Sequence, residues 1–302
     1  MPTRDELAAA PWRIWVQAAR PKTLPAAAAP VLMGIALAVG QGGFHAPSAA
    51  LALLSALLIQ IGVNFHNDYT DFLRGTDTDE RVGPLRVTQA RLVDPQTMRW
   101  ATFAVFAAAV GAGTYLMIRG GWPVVVIGVA SIASALWYTA GRYSLAYIGL
   151  ADLFVFVFFG PVAVAGTYYV QTLAVTAPAL WAGAGPGALS VCILLINNIR
   201  DLAGDRHAHK RTLVVRFGRS FGVRLYAACM AVAALVPVAL TAYTGTHWGA
   251  LAATPVVAGA WPALQTLRTG TADPDRLNPL LPTTGRTLAL YSVCFALGWM
   301  LT

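Results

Sequence analysis

Nine apolar runs, each long enough to cross a lipid bilayer as a helix, recur along the 302 residues of this chain. They fall at about 24–40, 47–66, 100–118, 121–139, 145–165, 178–196, 223–244, 247–267 and 284–301. A helix rises about 1.5 Å per residue, so roughly 17–22 residues span a hydrocarbon core of ~30 Å. In lipid the backbone must satisfy its own N–H and C=O groups, and a lone apolar run does so only as a helix. Composition agrees: 57% of residues are hydrophobic and 11% charged, against about 25% charged in a soluble domain. The expectation is an all-α, polytopic membrane protein of about nine transmembrane helices, one domain over residues 1–302. Residues 1–22 mix both charge signs and run into the first span. They read as an interfacial segment rather than a cleaved signal peptide.

The net charge of +8 would suggest nucleic acid on a soluble protein. Its distribution points elsewhere. With the N-terminus placed in the cytoplasm, 20 of the 21 Lys and Arg residues fall on the inner side and only Arg119 falls outside. That asymmetry predicts a multi-pass protein of the cell (inner) membrane with a cytoplasmic N-terminus. Membrane lipid, not nucleic acid, is the expected surrounding partner. The inner loops 67–99 and 197–222 are long and dense in charge, which marks them as ordered cytoplasmic caps, whereas 268–286 reads as connector. Cys192, Cys229 and Cys294 lie inside separate apolar runs and read as packing residues. His207 and His209 are two apart and do not share a helix face.

Two acidic motifs stand at the inner ends of the second and sixth spans. The first reads Asn67-Asp68-Tyr69-Thr70-Asp71, with Gly75 and Asp77 beyond. The second reads Asn197-Asn198-Ile199-Arg200-Asp201, with Asp205 beyond. Asn64, Asp68 and Asp71 lie at helical spacing, as do Asn197, Asp201 and Asp205, so each set forms a polar stripe. Carboxylates at a membrane boundary are costly and usually functional. Magnesium favours one or two carboxylates plus substrate phosphate oxygens. Two half-sites on one membrane side therefore suit a pyrophosphate bound through Mg²⁺. The spacing of the motifs, four spans apart, also hints at duplication of a four-helix unit.

These motifs resemble the two Asp-rich motifs of the membrane-embedded aromatic prenyltransferases, the UbiA superfamily. The usual first motif carries its last acid eight residues after the Asn; here that place is Gly75 and the acid is Asp77. The departure resembles a branch that prenylates 1,4-dihydroxy-2-naphthoate in menaquinone synthesis. So do Arg20-Pro21-Lys22-Thr23, Arg81-Val82-Gly83-Pro84-Leu85-Arg86, Phe158-Phe159-Gly160-Pro161 and Lys210-Arg211-Thr212-Leu213.

The resemblance implies a helical bundle around a central cavity with a side opening to lipid. It implies binding and ionisation of a polyprenyl pyrophosphate through Mg²⁺, attack by an aromatic acceptor, and loss of CO₂ to give demethylmenaquinol. Asn67, Asp71, Asp201 and Asp205 match metal–pyrophosphate positions, and Asp68 and Asp77 match motif acids. Tyr138 and Arg142 resemble the family's Tyr-x-x-x-Lys pyrophosphate contact, with Arg in place of Lys. The remaining substrate-binding candidates are Arg20, Lys22, Asn64, Arg81, Arg86, Asp152, Asn197 and Lys210. Arg20 and Lys22 hold acceptor carboxylate or pyrophosphate, or else anchor the helix at lipid heads. Arg81 and Arg86 close over the pyrophosphate or are surface charge. Asp152, a lone acid placed about two turns inside the fifth span, orients an acceptor hydroxyl or bonds a neighbouring helix. Trp137, Tyr138, Phe154, Phe156, Phe158 and Phe159 could face an allylic cation, but they alternate and cannot all point inward. Two other readings stand beside this one: a prenyltransferase for another acceptor such as 4-hydroxybenzoate, and a transporter. Neither isoprenoid length nor oligomeric state follows from the residues.

Overall fold

The computed structural model describes residues 10–73, 86–139 and 144–302. Among them every regular element is a helix. A short helix α1 (Pro11–Ala19) turns through Pro21–Thr23 into α2 (Leu24–Gly40), and α3 (Ala46–Leu73) and α4 (Pro95–Gly120) follow as a hairpin. Next come α5 (Trp122–Thr139), a single turn α6 (Leu145–Ile148), α7 (Ala151–Phe158) and α8 (Pro161–Thr172). The second half runs α9 (Ala177–Ala182), α10 (Ala184–Arg200), α11 (Leu202–His207), α12 (Leu213–Phe217) and α13 (Arg219–Thr244). It ends with α14 (Ala253–Val256), α15 (Trp261–Arg268), α16 (Pro274–Leu277) and α17 (Leu280–Leu301).

The boundaries follow local chemistry. Proline opens α1, α4 and α8, where its missing N–H costs nothing. The Asp94 side chain accepts from the N–H groups of Gln96 and Thr97 and caps α4. Gly160 and Pro161 break the fifth expected span into α7 and α8, and Gly183 breaks the sixth into α9 and α10. The two breaks touch. A Cβ on Gly160 would lie 2.5 Å from the Gly183 carbonyl oxygen, and one on Gly183 would lie 2.4 Å from the Pro161 nitrogen.

Among the described residues, six stretches are both long and apolar enough to cross a membrane: Pro11–Gly40, Ala46–Leu73, Pro95–Gly120, Ala151–Thr172, Ala177–Arg200 and Arg219–Thr244. The expected nine is not reached by that measure. Trp122–Tyr138 is apolar but shorter, residues 248–268 alternate between 3₁₀ and α turns, and α17 is helical without joining the six. The charged segments also differ from plain loops. The first motif lies on the last turns of α3, and the second motif with its sequel forms α10, α11 and α12.

The halves of the bundle are packed differently. The large apolar core belongs mostly to α10, α13, α17 and the 250–267 segment, with Leu195, Ile196, Tyr226, Tyr291, Phe295 and Trp299 buried. Helices α2, α3, α4, α5, α7 and α8 instead surround a cavity of about 380 Å³. Its wall on α3 is Ala52, Ser55, Ala56, Ile59, Gln60, Val63, Asn64 and Asn67, one continuous helix face. The rise from Ala52 to Asn67 makes that wall about 22 Å long. It ends at the motifs on one side and at Leu116, Val124 and Val170 on the other.

Candidate active site

The residues of the first motif divide between two faces of α3. Asn64 and Asn67 line the cavity. The Asn64 amide donates to the Ala19 carbonyl (2.8 Å) and the Thr23 hydroxyl (3.0 Å), and the Gln60 amide donates to Asn64 Oδ1 (3.4 Å). This network fixes the elbow between α1 and α2, where Arg20 takes a left-handed φ of 51°. Such a conformation is unusual for a residue with a Cβ. The Asn64 side chain is thus committed to the scaffold. Lys22, in the turn that follows, is exposed.

Asp68 is 1% exposed and turns away from the cavity. Its carboxylate accepts from the backbone N–H groups of Val87 (3.2 Å) and Thr88 (3.1 Å). Asp68, expected among the metal ligands, here uses both oxygens to fasten the returning chain. That fastening brings in Arg86, whose guanidinium donates to Asp71 Oδ2 at 2.6 Å in a largely buried pair.

The second motif keeps its four-residue period across a helix boundary. The Asp201 N–H bonds the Asn197 carbonyl (2.9 Å), and the Asp205 N–H bonds the Asp201 carbonyl (2.8 Å). Asn197 donates to the Ile193 carbonyl (3.3 Å). Arg200 grips Asp201 through two contacts of 2.7 Å and donates to Asn278 Oδ1 at 2.8 Å. Lys210 sits 3.0 Å from the buried Asp205. Burial raises the Asp205 carboxyl above its usual range and outweighs the pull of Lys210 and Arg200. Burial lowers the Lys210 ammonium, but Asp205, then Asp71 and Tyr147, raise it further, so the net direction is up.

Asp71 and Lys210 therefore act on each other across the two motifs. Tyr138, at the end of α5 and on the cavity wall, feels Asp152, Asp205 and Asp71 together. Asp152 lies in the first turn of α7, and the candidate span begins at Ala151 rather than at Leu145. It is 5% exposed, and both carboxylate oxygens lack a hydrogen-bond partner among the described residues. A buried carboxylate in that state has room for a ligand's donor. Phe154, Phe158 and Phe159 line the cavity with Tyr138, whereas Phe156 packs on the core. Phe154 and Phe158 stack with ring centroids 5.9 Å apart. Asp77, Arg81 and Arg142 lie outside the described residues.

Among the described residues no three His, Cys, Asp or Glu side chains form a ready cage for a metal. The donors that converge are hard oxygens in pairs with cations: Asp71 with Arg86, Asp201 with Arg200, Asp205 with Lys210. That set fits Mg²⁺, which takes few protein carboxylates and completes its shell with phosphate oxygens and water. The paired cations are then placed to turn to the phosphates. The residues missed in the sequence are Arg200, Thr23 and Gln60. Arg200 had a signal, since it adjoins Asp201 inside the motif.

Residues 27–279 match the UbiA prenyltransferase family. A "1,4-dihydroxy-2-naphthoate octaprenyltransferase" of Mycobacterium tuberculosis is 38% identical over 282 residues, 93% of this chain and 95% of that protein. A UbiA homolog from Archaeoglobus fulgidus has the same fold, with a TM-score of 0.66 at 12% identity over 96% of this chain and all of that one. The structure of such a homolog bound to DMAPP and Mg²⁺ superposes with a TM-score of 0.58 at 14% identity, over 95% and 99% of the two chains. Two carboxylate motifs at the mouth of an apolar cavity and a family match across most of the length agree: the chain belongs to the UbiA prenyltransferase family.

Proposed function

We propose that this protein transfers a polyprenyl group from its pyrophosphate to 1,4-dihydroxy-2-naphthoate, with loss of CO₂, giving demethylmenaquinol. The observation that carries the reading is the meeting of the two acidic motifs at one end of a long apolar cavity. The name of the M. tuberculosis relative supports the acceptor.

In this reading Asn67, Asp71, Asp201 and Asp205 hold Mg²⁺. When bound, the ion neutralises the charge that develops on the leaving pyrophosphate. Arg86 and Lys210 add cationic donors, and Arg extends a fork suited to phosphate. Arg20, Arg81 and Arg142 are proposed to join them, with Asn197 beside the metal positions. The cavity takes the prenyl chain and keeps water from the allylic carbon. Phe154, Phe158 and Tyr138 line the cavity, where their rings are proposed to stabilise the gathering positive charge. The C–O bond of the donor breaks with its electron pair going to pyrophosphate. The carbon of the acceptor ring that bears the carboxylate supplies the pair for the new C–C bond. The bond to CO₂ then breaks and returns its pair to the ring. Asp152, buried and with no side-chain hydrogen-bond partner among the described residues, is proposed to accept the acceptor's hydroxyl proton, with Tyr138 near it.

Purified protein given Mg²⁺, a polyprenyl pyrophosphate and acceptor labelled in its carboxylate should release one labelled CO₂ per prenylated product. Product that keeps the label, or a preference for 4-hydroxybenzoate, would leave only the family assignment. The transporter alternative has less support, because the acidic motifs stand at one end of the spans and the apolar cluster at the other end carries no matching charge.

The site is proposed to face the cytoplasm of the cell membrane, on the strength of the Lys and Arg distribution. Cysteines introduced at Thr76 and Ala208 should resist an impermeant thiol reagent in intact cells and react once the inner face is opened. Labelling from outside would reverse the orientation.

A further inference from the structure

The end of the cavity opposite the motifs is closed by particular side chains. Val31, Ala52, Leu116 and Val170 form a small buried cluster there, with Val124 and Tyr169 packed on it. Behind it the Tyr169 hydroxyl donates to the Gly120 carbonyl at 2.8 Å. Met117 lies on the cavity wall just before this floor. Its side chain folds back between α4 and α5: a Cβ added at Gly113 would stand 3.7 Å from the Met117 Cε, and one at Gly128 3.5 Å. A methionine filling such a gap is adaptable, because its unbranched chain repacks at low cost.

The depth can be compared with a prenyl chain. A fully extended peptide advances at most ~3.5 Å per residue of three backbone bonds, or about 1.2 Å per bond. An isoprene unit contributes four main-chain bonds, hence about 5 Å on that scale. A wall of about 22 Å therefore takes about four or five units in a straight path.

We propose that Met117 and the floor behind it are the length gauge of the donor site, which rests on the reading of the cavity as the prenyl site. Units up to the floor each exchange water or lipid for protein contact. Units beyond it must turn aside toward the bilayer and add no contact of the same kind. Gly113 and Gly128 keep the approach to the floor wide enough for chain and Met117 side by side.

The test is a competition in one micelle preparation between geranyl, geranylgeranyl and octaprenyl pyrophosphates, with the products separated by chromatography. Parent protein should discriminate strongly between geranyl and geranylgeranyl donors and weakly between geranylgeranyl and octaprenyl. Gly128→Leu should fill the space beside Met117 and cut use of the two longer donors at least tenfold relative to geranyl. Geranyl turnover should persist in the same preparation, which serves as the folding check. Met117→Ala should shift preference the opposite way, toward the longer donors, and it guards against a Gly128→Leu variant that does not fold. Parallel changes for all donors in both variants, or unchanged ratios, would overturn the gauge. No prenyl transfer by the parent with any donor would instead remove the prenyl-site reading itself.

Discussion

Asp71→Asn and Asp201→Asn should each lower prenyl transfer by about a thousandfold, on the order of 4 kcal/mol of transition-state stabilisation. The pyrophosphate must leave carrying charge, and charge neutralisation by metal and cationic side chains is the main help this site can give. Each substitution removes one hard anionic oxygen from a set with few to spare. Each also loosens a cation: Arg86 loses its 2.6 Å partner, and Arg200 loses half of its fork. Asp201 is the more exposed of the two, so its variant should unfold at nearly the parent temperature, whereas Asp71→Asn, which breaks a largely buried pair, should also lose some stability. Raising Mg²⁺ should recover part of the activity. Asp68→Asn is the informative companion. Its new amide would point a donor at the N–H groups of Val87 or Thr88, and an unmet buried partner costs about 1–3 kcal/mol. The variant should lose stability and donor affinity while its Mg²⁺ requirement stays put. Near-normal turnover of folded Asp71→Asn protein would defeat the two-motif site. A raised Mg²⁺ requirement in Asp68→Asn would return Asp68 to the metal set.

Gly160→Ala should destabilise the protein by about 3 kcal/mol or more, the upper end for overpacking. The new methyl would stand 2.4 Å from the Phe156 carbonyl oxygen, 2.5 Å from the Gly183 carbonyl oxygen and 3.0 Å from the Gly187 Cα. All three are backbone atoms, so no side chain can swing aside to make room. The break between α7 and α8 would have to move away from the break between α9 and α10. Gly111→Ala is the matched control, since nothing lies within 4 Å of its added Cβ. Unfolding temperature in detergent should drop by roughly 6–12 °C for Gly160→Ala, at about 2–4 °C per kcal/mol for a chain of this size. An equal response of the two variants would mean that the helix breaks can slide.

The helices were legible because an apolar run in lipid has few alternatives. Both motif positions were legible because polar residues at a span's end stand out. Their partition was not. Asn64, Asn67, Asp68 and Asp71 all satisfy helical spacing, yet two Asn residues face the cavity and Asp68 faces a strap twenty residues later in the chain. Spacing alone does not tell which side of a helix meets the cavity. The split spans were equally hidden, because hydropathy treats Gly160 and Gly183 as ordinary apolar-run members. Their effect depends on backbones meeting at distances too close for a methyl group. The same blindness hid the start of the fifth span: the apolar run appears to begin at Leu145, whereas the candidate span begins at Ala151 and puts Asp152 in its first turn.

Arg119, the one basic residue expected on the far side, donates from Nε to the Val170 carbonyl (2.9 Å) and from NH2 to the Gln171 carbonyl (3.1 Å). It thereby finishes the end of α8, whose last carbonyls have no helical partner. Together with Tyr169 and the cluster around Leu116, it packs the end of the cavity opposite the motifs. A hollow that reaches through much of a membrane is a standing risk of proton and ion leakage. A plug of apolar side chains backed by a tethered guanidinium turns that hollow into an insulated well. In the proposed reading, apolar side chains then separate the charged leaving group at one end from whatever lies beyond the other.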